Sequence, residues 1–171
     1  AQIANGGYKI KPKIIVNNNP LTIEEAKKAM QLQSLKTPNT KLFDDQKNIK
    51  IVQEAMFSST NERYGTSYRS RIDDPKYQFA GKTGTAQVKR ISKRERELDL
   101  KLEDIPYNDR DHALYVAYGP YKKPRYALSI IVEHGGSGSK AAAPMAKELF
   151  KLIIDRNELR NKQSNFEEVD I

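Results

Sequence analysis

Phe79-Ala80-Gly81-Lys82-Thr83-Gly84-Thr85-Ala86-Gln87-Val88 is the stretch on which the reading of this chain turns. From Tyr77 to Val88 the residues alternate in the manner of a β-strand, interrupted by Gly81 and Gly84. The run carries one cation, Lys82, and two hydroxyls, Thr83 and Thr85. A glycine in a strand lets a second backbone come close, so such a run can pair edge-on with an extended peptide. Lys82 and the two hydroxyls can then hold a carboxylate, while a backbone N–H nearby serves an oxyanion. The plain alternative is a strand with a glycine bulge and an exposed lysine, and composition by itself favours it.

The flanking segments supply the architecture. Downstream, His112 to Tyr118 and Tyr126 to Glu133 are rich in β-branched and aromatic residues. The linker from Gly119 to Pro124 is of hairpin length, so the two strands should be antiparallel. The turn Gly135-Gly136-Ser137-Gly138-Ser139 leads into a last helix with Met145, Leu149, Leu152 and Ile153 as its apolar stripe. Pro144 is tolerable in its first turn, and beyond Asn157 the polar chain is expected to fray. Upstream, Ile49, Val52 and Met56 predict a helix over about 45–59, followed by a loop from Tyr64 to Pro75. Nearer the start, Lys13 to Val16 reads as extended and Asn17-Asn18-Asn19-Pro20 as a turn. Thr22-Ile23-Glu24-Glu25 reads as a capping box, opening a helix with Ile23, Ala26 and Met30 on one face. The charged run from Lys89 to Asp111 reads as a partly helical excursion. The order helix, helix, three strands, helix places the chain in the α+β class, with antiparallel strands and flanking helices.

Composition narrows the chemistry. The 171 residues hold 30 Lys+Arg against 22 Asp+Glu, a formal net charge of +8, and only 37% are hydrophobic. That apolar share is thin for a complete domain. The opening Ala1-Gln2-Ile3 reads like mid-domain sequence, and the expectation is a part of something larger. No stretch reaches the ~18–20 apolar residues of a membrane span. With no Cys, disulfides, thiol nucleophiles and thiolate zinc sites are out. Two distant histidines, His112 and His134, cannot form a His-rich metal site; carboxylate-only Mg²⁺ or Ca²⁺ binding stays open, though without EF-hand spacing, and neither metal nor cofactor is expected. A pI near 9.5 invites a polyanion partner. However, Lys89-Arg90, Lys93-Arg94 and Arg96 are interleaved with Glu95 and Glu97 and followed by Asp99, Glu103 and Asp104. A solvated surface is the expected reading, and nucleic acid is not an expected partner.

Lys82-Thr83-Gly84-Thr85 resembles the third signature motif of the serine penicillin-recognising enzymes. Gly65-Thr66-Ser67 is similar to a Gly-Thr-Ala-like turn of the class B group, and Ala86-Gln87-Val88 to its extension of the motif. Asp111-His112-Ala113, Tyr118-Gly119-Pro120-Tyr121, Glu133-His134-Gly135-Gly136 and the opening Ala4-Asn5-Gly6-Gly7 complete an ordered set. From Ala4 to Ile154 the chain resembles the elongation-specific class B penicillin-binding proteins, the penicillin-binding protein 2 group. The resemblance implies that residues 1–157 are the C-terminal part of a serine β-lactamase-like transpeptidase domain, with 158–171 a polar tail. It implies a peptidoglycan D,D-transpeptidase parent acting on stem peptides and binding β-lactams through a serine acyl-enzyme. It also implies anchoring at the periplasmic face of the inner membrane, beside a polytopic membrane glycosyltransferase of the elongation machinery.

By the same resemblance, Lys82 keeps the cleft positive and aids proton transfer, and the Thr83 and Thr85 hydroxyls bind a terminal carboxylate beside Gly84. The Thr85 backbone N–H is half of an oxyanion hole. The family's S-x-x-K and S-x-N motifs precede the K-T-G strand by long distances. Ser137-Gly138-Ser139-Lys140 fits the first string but follows the strand, and Ser59-Thr60-Asn61 fits the second but ends a helix just ahead of it. Both read as coincidences, so the nucleophile serine is expected outside this chain and the chain alone is expected to be inactive. Asp111 with His112 reads as a structural pair, His134 as a loop support, and Tyr115, Tyr118, Tyr121 and Tyr126 as packing at the sheet margins. A sheet cut from its partners leaves an open edge, a route to a non-native dimer. The competing functions are a basic module for nucleic acid or another anionic partner, and a serine β-lactamase or carboxypeptidase relative.

Overall fold

A computed structural model describes residues 1–10, 41–43, 45–89 and 100–167. The strand expected at Lys13–Val16 and the capping box and helix begun at Thr22 lie outside the described residues, as do positions 90–99 of the charged excursion. The chain divides into two units, Ala1–Val52 and Gln53–Ile171.

In the first unit, the Asn5 side chain closes a turn by accepting from the Tyr8 N–H at 3.0 Å and donating to the Tyr8 carbonyl at 3.1 Å. Tyr8 bridges Lys41, and the Leu42 N–H donates to the Gly7 carbonyl at 2.9 Å. Helix α1, Gln46–Asn61, begins here, with Ile49 buried. Val52, on the stripe that periodicity predicts, is instead 40% exposed.

The second unit holds an antiparallel sheet in the order β1 (Ala80–Ala86), β2 (His112–Gly119), β3 (Tyr126–Val132). Helix α2, Ala143–Glu167, follows a π-helical turn at Gly138–Ala142 and runs past Asn157, where composition suggests fraying. The described part of the charged excursion contains two short 3-10 turns, Leu102–Asp104 and Tyr107–Asp109. The architecture is α+β, as the pattern of elements indicates. No helix among the described residues is long and apolar enough to cross a membrane.

Two of the packing expectations are corrected. The stripe Met145, Leu149, Leu152 faces outward, these residues being 49%, 40% and 66% exposed. Ala143, Ala146, Phe150 and Ile154 are buried instead, against Ala113, Ala117 and Phe79 of the same core. Alanines on both surfaces bring helix and sheet into close approach, and Phe150 stacks on Phe79 with ring centroids 4.9 Å apart. The bulkiest periodic residues were therefore not the inward ones. Likewise Tyr115 and Tyr118 are core residues rather than margin residues.

Helix α2 is tied to the loop before β1 by polar contacts. The Tyr77 hydroxyl donates to Asp155 at 2.6 Å, and Lys76 Nζ reaches Asp155 at 3.0 Å and Glu158 at 2.9 Å. The Tyr77 hydroxyl, then Lys76, hold the Asp155 carboxyl below the usual carboxylate range. A carboxyl depressed on folding contributes stability above its unfolded value of ~3.9 and loses it as pH falls through the folded value. Asp155→Asn should therefore lower the melting temperature at neutral pH, and the gap from the parent should close on acidification; a gap constant with pH would refute the linkage. The helix register has its own check: Ala146→Leu should cost about 1–3 kcal/mol in urea unfolding, whereas Leu152→Ala should stay within about 0.5 kcal/mol.

Candidate functional site

The strand that holds the candidate residues, β1, is an edge of the sheet among the described residues. Its register sets Gly81 opposite Ala117, Thr83 opposite Tyr115 and Thr85 opposite Ala113, so these share the face packed with buried side chains. Lys82 and Gly84 lie opposite Val116 and Leu114 and point to the other face. The Gly81 N–H donates to Thr60 Oγ1 at 3.1 Å, which means that it points away from β2. Antiparallel ladders alternate with a period of two. Thr83 and Thr85 therefore also direct their N–H and C=O groups off the free edge. Lys82 bends to the same edge, its Nζ donating to the outward Thr83 carbonyl at 2.8 Å.

A buried hydroxyl network sets the position of this strand. Tyr115, fully buried, passes its ring over the gap left by Gly81, where an added Cβ would come 2.2 Å from the phenol oxygen. Beyond the gap, Tyr115 OH meets Thr60 Oγ1 at 2.9 Å and Ser67 Oγ at 3.1 Å, and Ser67 Oγ donates to the Ser59 carbonyl at 3.0 Å. Thr60 Oγ1 also reaches the Met56 carbonyl at 3.4 Å and Ser67 Oγ at 3.3 Å; the proton order that uses the shortest contacts runs from the Gly81 N–H to Thr60, Thr60 to Tyr115, Tyr115 to Ser67 and Ser67 to the Ser59 carbonyl. Burial pushes the Tyr115 phenol up, against the opposing pull of Ser67 and Thr60, so it remains a neutral donor. Asn61 Nδ2 adds a second fastening, donating to the Phe79 carbonyl at 2.9 Å and the Phe57 carbonyl at 3.0 Å.

The turn after α1 reaches the strand from the exposed side. Gly65 sits where a Cβ would lie 2.3 Å from the Ser59 carbonyl oxygen, so the turn folds tightly onto the helix end. Thr66 Oγ1 then stands 3.2 Å from both Ser59 Oγ and Thr83 Oγ1.

Lys82, Thr83, Gly84 and Thr85, the residues singled out from the sequence, thus share one accessible strand edge, with Lys82 and Thr85 exposed. Ser59-Thr60-Asn61 is occupied in fastening the helix to that strand. Ser137-Gly138-Ser139-Lys140 forms the π-helical turn; Ser137 and Ser139 pair at 3.0 Å, and Gly138 lies against Gly84 and Leu114 with no room for a Cβ. Asp111 and His112 are each tied to other backbone groups. Asp111 Oδ1 accepts the Val88 N–H at 3.3 Å, and His112 Nδ1 accepts the His134 N–H at 2.9 Å. His134, with φ 55°, reaches the Arg110 carbonyl through Nδ1 at 3.0 Å and supports its loop as expected. Thr60, Ser67 and Tyr115 were not legible as a unit. Their bonds span 48 and 55 positions, and no local pattern encodes such a contact.

Residues 1–151 match the family described as penicillin binding protein transpeptidase domain. The chain is 31% identical over 153 residues to peptidoglycan D,D-transpeptidase MrdA of Salmonella typhimurium, covering 90% of this chain and 23% of the relative. It is 26% identical over 162 residues to penicillin-binding protein H of Bacillus subtilis, covering 94% and 21%. Among solved structures it is similar to Pseudomonas aeruginosa PBP2, in a complex with WCK 5153. There the TM-score is 0.57 at 26% identity, over 88% of this chain and 28% of that one. The chain spans less than a quarter of the length of these two curated relatives.

Removing the phenol oxygen tests the buried network. Tyr115→Phe removes one partner from each of Thr60 and Ser67, which still face each other at 3.3 Å, and it should cost about 0.5–1.5 kcal/mol in chemical unfolding. An unchanged midpoint would show that the hydroxyl chain adds nothing to the strand's anchorage.

Proposed function

The chain belongs to the penicillin-binding protein transpeptidase domain family, and from that premise we propose that residues 1–157 form the C-terminal part of a peptidoglycan D,D-transpeptidase domain. The observation that carries the reading is the free edge of β1, where Lys82 bonds the outward Thr83 carbonyl and the Thr85 N–H also faces outward. An extended stem peptide ending in a carboxylate fits such an edge, since it can add as a strand while its terminus meets Lys82 and the threonine hydroxyls.

The reaction divides into two acyl transfers. A serine from outside this chain attacks the penultimate D-Ala carbonyl, its oxygen bonding to the carbonyl carbon while its proton passes to a base. The tetrahedral intermediate collapses with cleavage of the C–N bond, and the terminal D-Ala leaves as a protonated amine. The amine of a second stem peptide then attacks the ester, forming the cross-link and releasing the serine. Lys82 keeps the cleft positive and assists proton transfer. Thr83 and Thr85 hold the substrate carboxylate beside Gly84, which offers no side chain to block approach. The Thr85 N–H stabilises the oxyanion, and the other donor is the N–H of the serine itself. Loss of one such donor costs ~10²–10³ in rate, so half a hole without a nucleophile turns nothing over. A β-lactam enters the same site because its strained amide and carboxylate present the same two groups.

The network around Ser59-Thr60-Asn61 and the pairing of Ser137 with Ser139 support a nucleophile located elsewhere in the polypeptide. In this reading the whole protein is membrane-anchored at the periplasmic face and works beside a polytopic glycosyltransferase. Interleaved charge leaves no reason to add nucleic acid as a partner. Labelled penicillin should acylate the full-length protein and leave the 171-residue chain unlabelled. In the full-length protein, Lys82→Ala should slow acylation by about 10²–10⁴-fold, the scale of lost proton-transfer assistance. Labelling of the chain itself would put the nucleophile within it, and undiminished acylation would remove Lys82 from the site.

A further inference from the structure

Thr83 has a neighbour that the reading above leaves without a task. Thr66 Oγ1 lies 3.2 Å from Thr83 Oγ1 and, on its other side, 3.2 Å from Ser59 Oγ. The three hydroxyls form a line that starts at the end of α1 and finishes on the strand edge. Each hydroxyl owns one proton and can both donate and accept. If Thr83 donates to Thr66, its proton points inward and its lone pairs face any anion at the edge, which is repulsive. If Thr66 donates to Thr83, and Ser59 to Thr66, the Thr83 proton is released outward. Only the second polarity suits a carboxylate, and hydrogen bonds in one direction strengthen one another.

The turn that presents Thr66 does not depend on the Thr66 hydroxyl. Its shape comes from the close seat of Gly65 on Ser58 and Ser59, and from the Ser67 N–H and Oγ, both donating to the Ser59 carbonyl at 3.0 Å. The Gly65 N–H adds a bond to the Glu62 carbonyl at 2.8 Å. Thr66 is itself exposed, so water would satisfy its hydroxyl without Thr83. A side chain held by others, placed at hydrogen-bond distance from a substrate-facing hydroxyl, is arranged to act on that hydroxyl.

We propose that Thr66 is a positioning residue for Thr83: it donates to Thr83 Oγ1 and so turns the Thr83 proton toward the carboxylate of the stem peptide or β-lactam. The inference rests on Thr83 being a carboxylate ligand, as read above. Thr66 does not touch substrate; it determines which way Thr83 presents its donor.

The test uses the full-length protein and compares acylation by a penicillin bearing its free carboxylate with acylation by the methyl ester of the same penicillin. Thr66→Val removes the hydroxyl and keeps the shape. It should lower the second-order acylation constant for the free acid by about 5–10-fold, the scale of one hydrogen bond between neutral groups. The loss should fall on the half-saturating concentration rather than on the limiting rate, and the ester should react as with the parent protein. Thr66→Ser should restore the free-acid rate, and Thr66→Ala should repeat the valine result should valine perturb the turn. In the double variant with Thr83→Val, the Thr66 effect should vanish, because its target is gone. A full effect of Thr83→Val alongside none of Thr66→Val or Thr66→Ala would overturn the positioning role and leave the site reading intact. Equal losses for acid and ester in both Thr66 variants would also overturn it. Undiminished acylation by Thr83→Val would instead remove Thr83 as the carboxylate ligand, and the role of Thr66 with it.

Discussion

The bond on which the second unit depends is that of the Tyr115 hydroxyl to Thr60 and Ser67, made through the space left open by Gly81. A phenol buried at the sheet centre needs a partner, since leaving one polar group unpaired in the core costs about as much as several good contacts supply. Its partners lie beyond β1, and the route exists only because Gly81 has no side chain. The strand is thereby clamped from both sides: β2 holds alternate backbone groups by the ladder, and the end of α1 holds Gly81 and Phe79 through Thr60 and Asn61. By contrast the neighbouring Tyr118 hydroxyl is buried with no partner among the described residues.

The clamp fixes what the open edge presents. The alternation of an antiparallel ladder sends half of the backbone groups of β1 into the sheet and leaves the other half facing outward. Because Gly81 belongs to the outward half, so do Thr83 and Thr85. Their hydroxyls lie over the packed face while their backbone groups point off the edge, and Lys82 joins them there from the opposite face. An edge strand with free donors is ordinarily a hazard, since any extended chain can pair with it. The same property would suit the extended peptide proposed as substrate.

Behind the strand, small residues determine how close the helix comes. Ala113 and Ala117 from β2 and Ala142, Ala143 and Ala146 from the last helical segment are all buried, and the aromatic pair Phe79 and Phe150 fills the space beside them. The larger side chains at Met145, Leu149 and Leu152 stand on the opposite face of α2. Hydrophobic periodicity finds the helix but ranks its faces by bulk, and where two surfaces meet through alanine that ranking inverts.

The three strands, the antiparallel hairpin, the two helices and the four residues of the edge motif were determined by the sequence alone, because each rests on local alternation, turn residues or a short contiguous motif. Gly65-Thr66-Ser67 was visible as a turn beside that motif. That Thr66 meets Thr83, that Tyr115 reaches Thr60 and Ser67, and that Gly81 is the opening between them were decided only in three dimensions. Those contacts join residues 17, 55 and 48 positions apart. Local propensity carries no record of which distant hydroxyl will fill a given space; that choice is made when the packing of the whole sheet against its helices leaves one partner within reach.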